Sequence, residues 1–148
     1  MAKITDKKEM NKWAFYQCKD GNDTPEIRSL ITESEYAYLY CQDVKDREEM
    51  WSKIKRQEDI FHYCRWVKNR PEFRKKLKSS RYIFYYCTVL NDDPEMALKI
   101  TSSLYIRKYI NFKFKNKEVN LANLNFTYKE DSGSTKNIEI TYKFKNIK

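Results

Sequence analysis

The sequence predicts an α+β protein, in which short helical hairpins repeat in tandem with a 23-residue period and a three-stranded antiparallel sheet follows them. Three observations predict it. Cys18, Cys41, Cys64 and Cys87 each stand 23 residues after the last, and each closes an aromatic tetrad: FYQC, YLYC, FHYC and FYYC. In the same phase come Pro25-Glu26, Glu48-Glu49, Pro71-Glu72 and Pro94-Glu95, then Ile31, Ile54, Leu77 and Ile100, then Tyr40, Tyr63, Tyr86 and Tyr109. After Lys108 the apolar period falls to two. A fixed period of this length signals stacked units that bury one another's faces. Period-two alternation signals strands with one buried face. The division expected is a helical repeat region over 1–108 and a sheet over 109–148, packed on the last repeat.

Each repeat reads as two short helices. Asp23, Asp46, Asn69 and Asp92 stand just ahead of the Pro/Glu pair, where a side-chain oxygen can cap free N–H groups and proline at the first helical position loses no bond. That helix is expected to run to about Thr32, Lys55, Lys78 and Thr101. Ser34, Ser80 and Ser103 then read as caps of a second helix, which carries the aromatic tetrad and ends near Val44, Val67 or Leu90. Within it Tyr36, Tyr40 and Val44, like Tyr82, Tyr86 and Leu90, follow the four-residue step of one helical face. Ahead of the first repeat, Asp6 and Glu9 mark the start of a longer helix through Trp13 to Cys18. In the C-terminal part, Ile110, Phe112 and Phe114 alternate with polar residues, as do Ile138, Ile140, Tyr142 and Phe144. Between them Val119 and Leu121, then Leu124, Phe126 and Tyr128, slip by one residue near Ala122-Asn123, which a bulge explains, and the stretch around Gly133 makes the turn. Residues 105–109 satisfy both patterns: repeat phase predicts a helix there, alternation a strand.

Composition narrows the function classes. With 41% hydrophobic and 34% charged residues and only 2 glycines among 148, the chain is neither disordered nor equipped with a glycine loop for phosphate. No run approaches the ~20 apolar residues of a membrane helix, and a cytoplasmic location is expected. Cysteines in neighbouring stacked units stand about a helix-packing distance apart, ~8–10 Å, too far for disulfides or one shared metal. They read as reduced core thiols. No metal site or cofactor is expected. The one histidine, His62, occupies the tetrad position of Tyr16, Leu39 and Tyr85, and a local pairing with Cys64 two residues on is excluded by helix geometry. The acid pairs Glu48/Glu49, Glu58/Asp59 and Asp92/Asp93 fall at helix starts, where they complement the dipole. No hydrolase, nucleophile-elbow or nucleotide-binding motif occurs.

The string Pro94-Glu95-Met96-Ala97-Leu98-Lys99-Ile100, preceded by Tyr82-Ile83-Phe84-Tyr85-Tyr86-Cys87 and matched by comparable strings at 25, 48 and 71, resembles short helical repeats of the leucine-rich-repeat-variant type. The resemblance covers roughly residues 20–104, with large aromatics where those repeats often carry alanine or leucine. It implies a helical repeat fold and brings no binding or catalytic residue with it.

Charge is the remaining signal. Residues 1–60 hold 11 Lys+Arg against 13 Asp+Glu, whereas residues 61–148 hold 19 against 8. The densest stretch contains Arg65, Lys68, Arg70, Arg74, Lys75, Lys76, Lys78 and Arg81, and a later cluster contains Lys99, Arg107, Lys108, Lys113, Lys115 and Lys117. Steps of three and four residues predict a ridge through Arg70, Arg74, Lys78 and Arg81, with Trp66 or Tyr85 near enough to stack on a base. Clustered cations on an ordered surface are the footprint of phosphate binding. The expectation is a non-enzymatic basic binding protein that engages nucleic acid, or the nucleic-acid channel of a ribonucleoprotein; the alternative is an adaptor for an acidic protein surface. Lys/Ile/Asn/Tyr-rich usage of the AT-rich kind suits a phage or mobile-element inhibitor of host defence, of the anti-CRISPR sort.

Overall fold

Prolines and short polar side chains decide where the helices begin, and the computed structural model describes the outcome for residues 3–116, 124–130 and 138–144, with side chains through Lys113. The chain divides into two compact units, Met1–Leu77 and Lys78–Lys148.

In the first unit, helix α1 (Lys7–Lys19) starts where the sequence predicts, with the Asp6 carboxylate accepting from Lys8 N–H. Three one-turn helices, α2 (Pro25–Ser29), α4 (Glu48–Trp51) and α6 (Pro71–Lys76), alternate with the longer α3 (Ser34–Asp43) and α5 (Gln57–Trp66). Helices α1, α3 and α5 pack in series. The one-turn helices stop earlier than expected because Ile31, Ile54 and Leu77, all at most 1% exposed, turn inward and pull the chain out of the helix. Cys18, Cys41 and Cys64 are buried, free thiols in repeated core slots, and Tyr40 and Tyr63 are fully enclosed.

Two sets of polar contacts tie each copy to the next, and both replace predicted caps. Ser34 does not cap its own helix: its Oγ accepts from Lys55 N–H and Arg56 N–H, 2.8 and 2.9 Å away in the following copy. Asn11, at the same repeat position one period earlier, does likewise for Thr32 N–H and Glu33 N–H at 2.7 and 2.9 Å. These N–H groups precede α3 and α5, so the side chain of one copy satisfies the helix-start donors of the next. Asp23 and Asp46 also do not cap. The cap positions are one residue later, at Thr24 and Arg47 for α2 and α4, and at Arg70 for α6. Asp23 instead accepts the Tyr40 hydroxyl at 2.9 Å and Arg47 Nη2 at 3.3 Å, while Arg47 Nε donates to Tyr40 Oη at 2.8 Å. Asp46, Tyr63 and Arg70 repeat the arrangement at 2.8, 2.9 and 2.7 Å, and Trp51 Nε1 adds a 2.7 Å bond to Asp46. A third contact has the same period: Lys53 Nζ donates to Arg28 O and Lys76 Nζ to Trp51 O, satisfying the carbonyl end of the preceding one-turn helix.

The second unit keeps the same grammar. Helix α7 (Ser80–Tyr85) continues into a π-helical turn, Tyr86–Leu90, and α8 (Pro94–Ala97) and α9 (Ser103–Asn116) follow. Ser80 Oγ accepts from Thr101 N–H and Ser102 N–H at 3.0 and 3.1 Å. Asp92 accepts Tyr109 Oη at 2.6 Å and pairs with Lys113. Here too the predicted cap, Asp92, does not cap; the cap is its neighbour Asp93, whose side chain accepts from Glu95 N–H.

The predicted three-stranded sheet is not present among the described residues, most of which are helical. Ile110, Phe112 and Phe114 lie in α9, not in a strand. Ile106 and Tyr109, 2% and 1% exposed, take the core slots that Ile83 and Tyr86 hold one period earlier. Packing of these two residues outweighs the short alternation that follows them. The helical boundary therefore falls beyond 108. The β structure described is a two-stranded antiparallel ladder, β1 (Leu124–Glu130) with β2 (Ile138–Phe144), in which Thr127 faces Thr141. The bulge at Ala122-Asn123, the turn at Gly133 and the docking of an apolar sheet face lie outside the described residues.

Candidate nucleic-acid interface

A ridge of cations stepping from Arg70 to Arg81 needs one helix across those positions, and the chain breaks it. Helix α6 ends at Lys76, Leu77 is extended with ψ 117°, and α7 starts anew at Ser80. Lys78 and Arg81 belong to the second unit, Arg70 and Arg74 to the first.

Several of these cations are committed to the fold. The Arg70 guanidinium bonds Asp46 and Tyr63 and lies 4.2 Å from the centre of the Trp51 ring, so it faces inward rather than towards a ligand. Burial alone would raise the Asp46 carboxyl, yet bonds from Arg70, Trp51 and Tyr63 hold it below its ordinary range. Arg74 is half-buried and Lys76 is tied to Trp51 O. Of the predicted binding cations in the first unit, Arg65, Lys68 and Lys75 stay exposed. Arg65 lies over the exposed Trp66 ring, 4.4 Å from its centre, at the end of α5. Elsewhere in this unit two exposed cations meet acids: Arg56 faces Glu35, Glu58 and Asp59 at 3.6, 3.1 and 3.3 Å, and Lys19 pairs with Asp43.

The second unit differs. Lys78, Arg81, Lys99, Arg107 and Lys108 are exposed, and neither α7 nor α9 contains an acidic residue. Four half-exposed rings run between these cations. Tyr82 meets Tyr85 at 5.9 Å, Tyr85 meets Phe84 at 5.8 Å, and Phe84 meets Tyr105 at 5.7 Å between ring centres. Arg81 sits 5.9 and 5.7 Å from the Tyr82 and Tyr85 rings and Lys108 sits 5.1 Å from Tyr105, within cation–π reach. The π-helical turn begins at the next residue, Tyr86, and Thr88 Oγ1 donates to Phe84 O at 2.9 Å. Such turns widen a helix and recur at functional sites.

Sequence reasoning named Arg81, Arg107, Lys108 and Tyr85 but missed Tyr82, Phe84 and Tyr105. Superposing the repeats on one another would have found the row. Arg81 occupies the position of Lys12, Glu35 and Glu58, and Lys108 that of Tyr16, Leu39, His62 and Tyr85, so the outward residues change character while the inward ones do not.

Among the described residues no cluster of His, Cys, Asp and Glu is placed to hold a metal ion. Burial pushes the thiols up, Cys18 to about 11 and Cys41, Cys64 and Cys87 to about 12, which keeps them protonated and unreactive. His62 stacks on Tyr38 at 5.9 Å and faces Glu58 at 3.7 Å, with no nucleophile in the pair. No described helix is long and apolar enough to cross a membrane. Compared with protein-family models, curated proteins and solved structures, the chain matches none.

Proposed function

We propose that the protein is a non-enzymatic binding protein whose basic second half engages nucleic acid, free or within the channel of a ribonucleoprotein. The observation that carries this reading is that neither α7 nor α9 contains an acidic residue, while Arg81 and Lys108 on them stand beside half-exposed rings. In the first unit Lys19, Arg28, Arg47, Arg56 and Arg70 face carboxylates and Lys53 and Lys76 face backbone carbonyls; on α7 and α9, Arg81, Arg107 and Lys108 are exposed and neither helix carries an acid. Exposed cations without acidic neighbours attract phosphates, and counterion release makes the attraction depend on salt.

The test is fluorescence anisotropy with labelled mixed-sequence DNA and RNA over a range of salt. Arg81→Glu combined with Lys108→Glu should lower the log–log salt slope by about 1.4–1.8, since each phosphate contact contributes roughly 0.7–0.9. Reversing Lys12 and Lys45, exposed cations of the first unit, should change it far less. Equal slopes for the two double variants would defeat the proposal and shift weight to an acidic protein partner.

A further inference from the structure

Building on that reading, we infer that the α7/α9 surface takes a single-stranded polynucleotide, with unpaired bases against the aromatic row and phosphates on Arg81, Arg107 and Lys108. A duplex presents phosphates and groove edges but keeps its base faces stacked on one another. For a duplex, cations alone suffice, and rings bring nothing. Here Tyr82, Tyr85, Phe84 and Tyr105 form one continuous row with cations at both ends. Neighbouring ring centres are 5.7–5.9 Å apart, and their planes are inclined by 43–79°. Bases held in a duplex repeat at about 3.4 Å per strand, so this spacing and tilt do not fit a stack that stays regular. An unstacked strand adapts to it base by base, because every base has a π face and the backbone swivels between them.

The outward residues point the same way. At the position of Arg81 the second and third copies have Glu35 and Glu58, which repel phosphate, and the first has Lys12; at the position of Tyr105 they have Tyr36 and Asp59, both buried, and the first has the exposed Trp13. Tyr105 is half-exposed and Arg107 and Lys108 beside it are exposed. The first unit sets single rings beside cations, as at Arg65-Trp66, whereas α7 and α9 bring four rings into one row with Arg81 and Lys108 against it.

The experiment compares oligo(dT) and oligo(U) with a DNA duplex and an RNA duplex of equal phosphate number, all labelled, against the full chain. Single strands of either sugar should bind at least tenfold more tightly than duplexes. Tyr105→Leu and Tyr85→Leu should each weaken single-strand binding by about tenfold, the order of one lost base stack. Tyr105→Phe and Tyr85→Phe should weaken it less, since stacking uses the ring and not the hydroxyl. Duplex binding should move little in any of them. Circular dichroism melting identifies a leucine variant that fails to fold, and the Tyr→Phe pair then decides by its affinity against wild type. Duplexes bound as well as single strands, or Phe and Leu variants equally weakened, would overturn this inference while leaving phosphate binding standing. No binding of any nucleic acid would overturn the functional reading itself.

Discussion

Arg70→Ala separates a structural cation from a binding one. The substitution removes a 2.7 Å ion pair with Asp46, a 2.9 Å bond to Tyr63 Oη and the contact with the Trp51 ring. The pair is about a quarter exposed on each side, 24% and 23%, so it is worth less than the 3–5 kcal/mol of a fully buried one. A charged hydrogen bond of this kind contributes about 1.5–3 kcal/mol, and the ring contact adds roughly 0.5–1 kcal/mol. The expected loss is about 2–4 kcal/mol. In urea, at a slope of about 1–3 kcal/mol/M, the unfolding midpoint should fall by roughly 1–2 M. Tryptophan fluorescence is the natural probe, because Trp51 Nε1 bonds the same carboxylate. Arg70→Lys keeps the charge but not the fork that reaches both Asp46 and Tyr63, so it should recover only part of the loss. Nucleic-acid affinity, measured where both proteins are folded, should stay near wild type. An unchanged urea midpoint combined with a weakened salt slope would refute the reasoning and return Arg70 to the binding surface.

Two carboxylates should respond to pH in opposite senses. Asp46 is held low by its donors, so the stability it confers is present above about pH 4, the unfolded value, and is lost as pH falls through the lower folded value. Asp59 is raised, chiefly by burial and against a hydrogen bond from Ser34 and the charge of Arg56, so its ionisation costs stability as pH rises through that raised value. Asp46→Asn should therefore lower the urea midpoint at pH 7 and differ less from wild type at pH 3, whereas Asp59→Asn should raise it at pH 7 and converge at pH 3; a lower midpoint for Asp59→Asn at pH 7 would contradict the assignment. The four buried thiols should resist a thiol-specific reagent at pH 8 in the folded protein and all react in denaturant, and Cys64→Ala should cost about 1–3 kcal/mol through its cavity. Rapid labelling of Cys64 without unfolding would count against its core slot.

The repeat was legible because its core slots recur in strict phase, as the cysteines and the enclosed tyrosines show. The polar contacts were not. Asp23 and Asp46 sit one residue before the caps, and their partners, the tyrosine 17 residues on and the arginine 24 residues on, are non-local. Short-range cap rules cannot anticipate a carboxylate that serves the next copy instead of its own helix. The same blindness assigned Arg70 to the surface, because charge counting does not show which cations the fold has already claimed. In α9, three alternating apolar residues suggested a strand, yet Ser103, Ile106 and Tyr109 carried the repeat phase onward. Where two periods conflicted, the one that filled an existing core slot prevailed.

Ser34 and Lys53 reach backbone atoms of a neighbouring copy, not its side chains. Such a grip does not discriminate among residue types: any residue but proline offers the N–H that Ser34 Oγ accepts, and every residue offers a carbonyl. Outward residues can then be exchanged without renegotiating the joint beneath them, as the change from Glu58 to Arg81 at one position illustrates. The unit of tolerated change in length is correspondingly one whole copy. An insertion of 23 residues restores every serine, aspartate and tyrosine to register, while an insertion of four or five moves each donor away from its acceptor. A chain built this way can trade one ligand preference for another at the surface, or gain a module by duplication, with its interior unaltered.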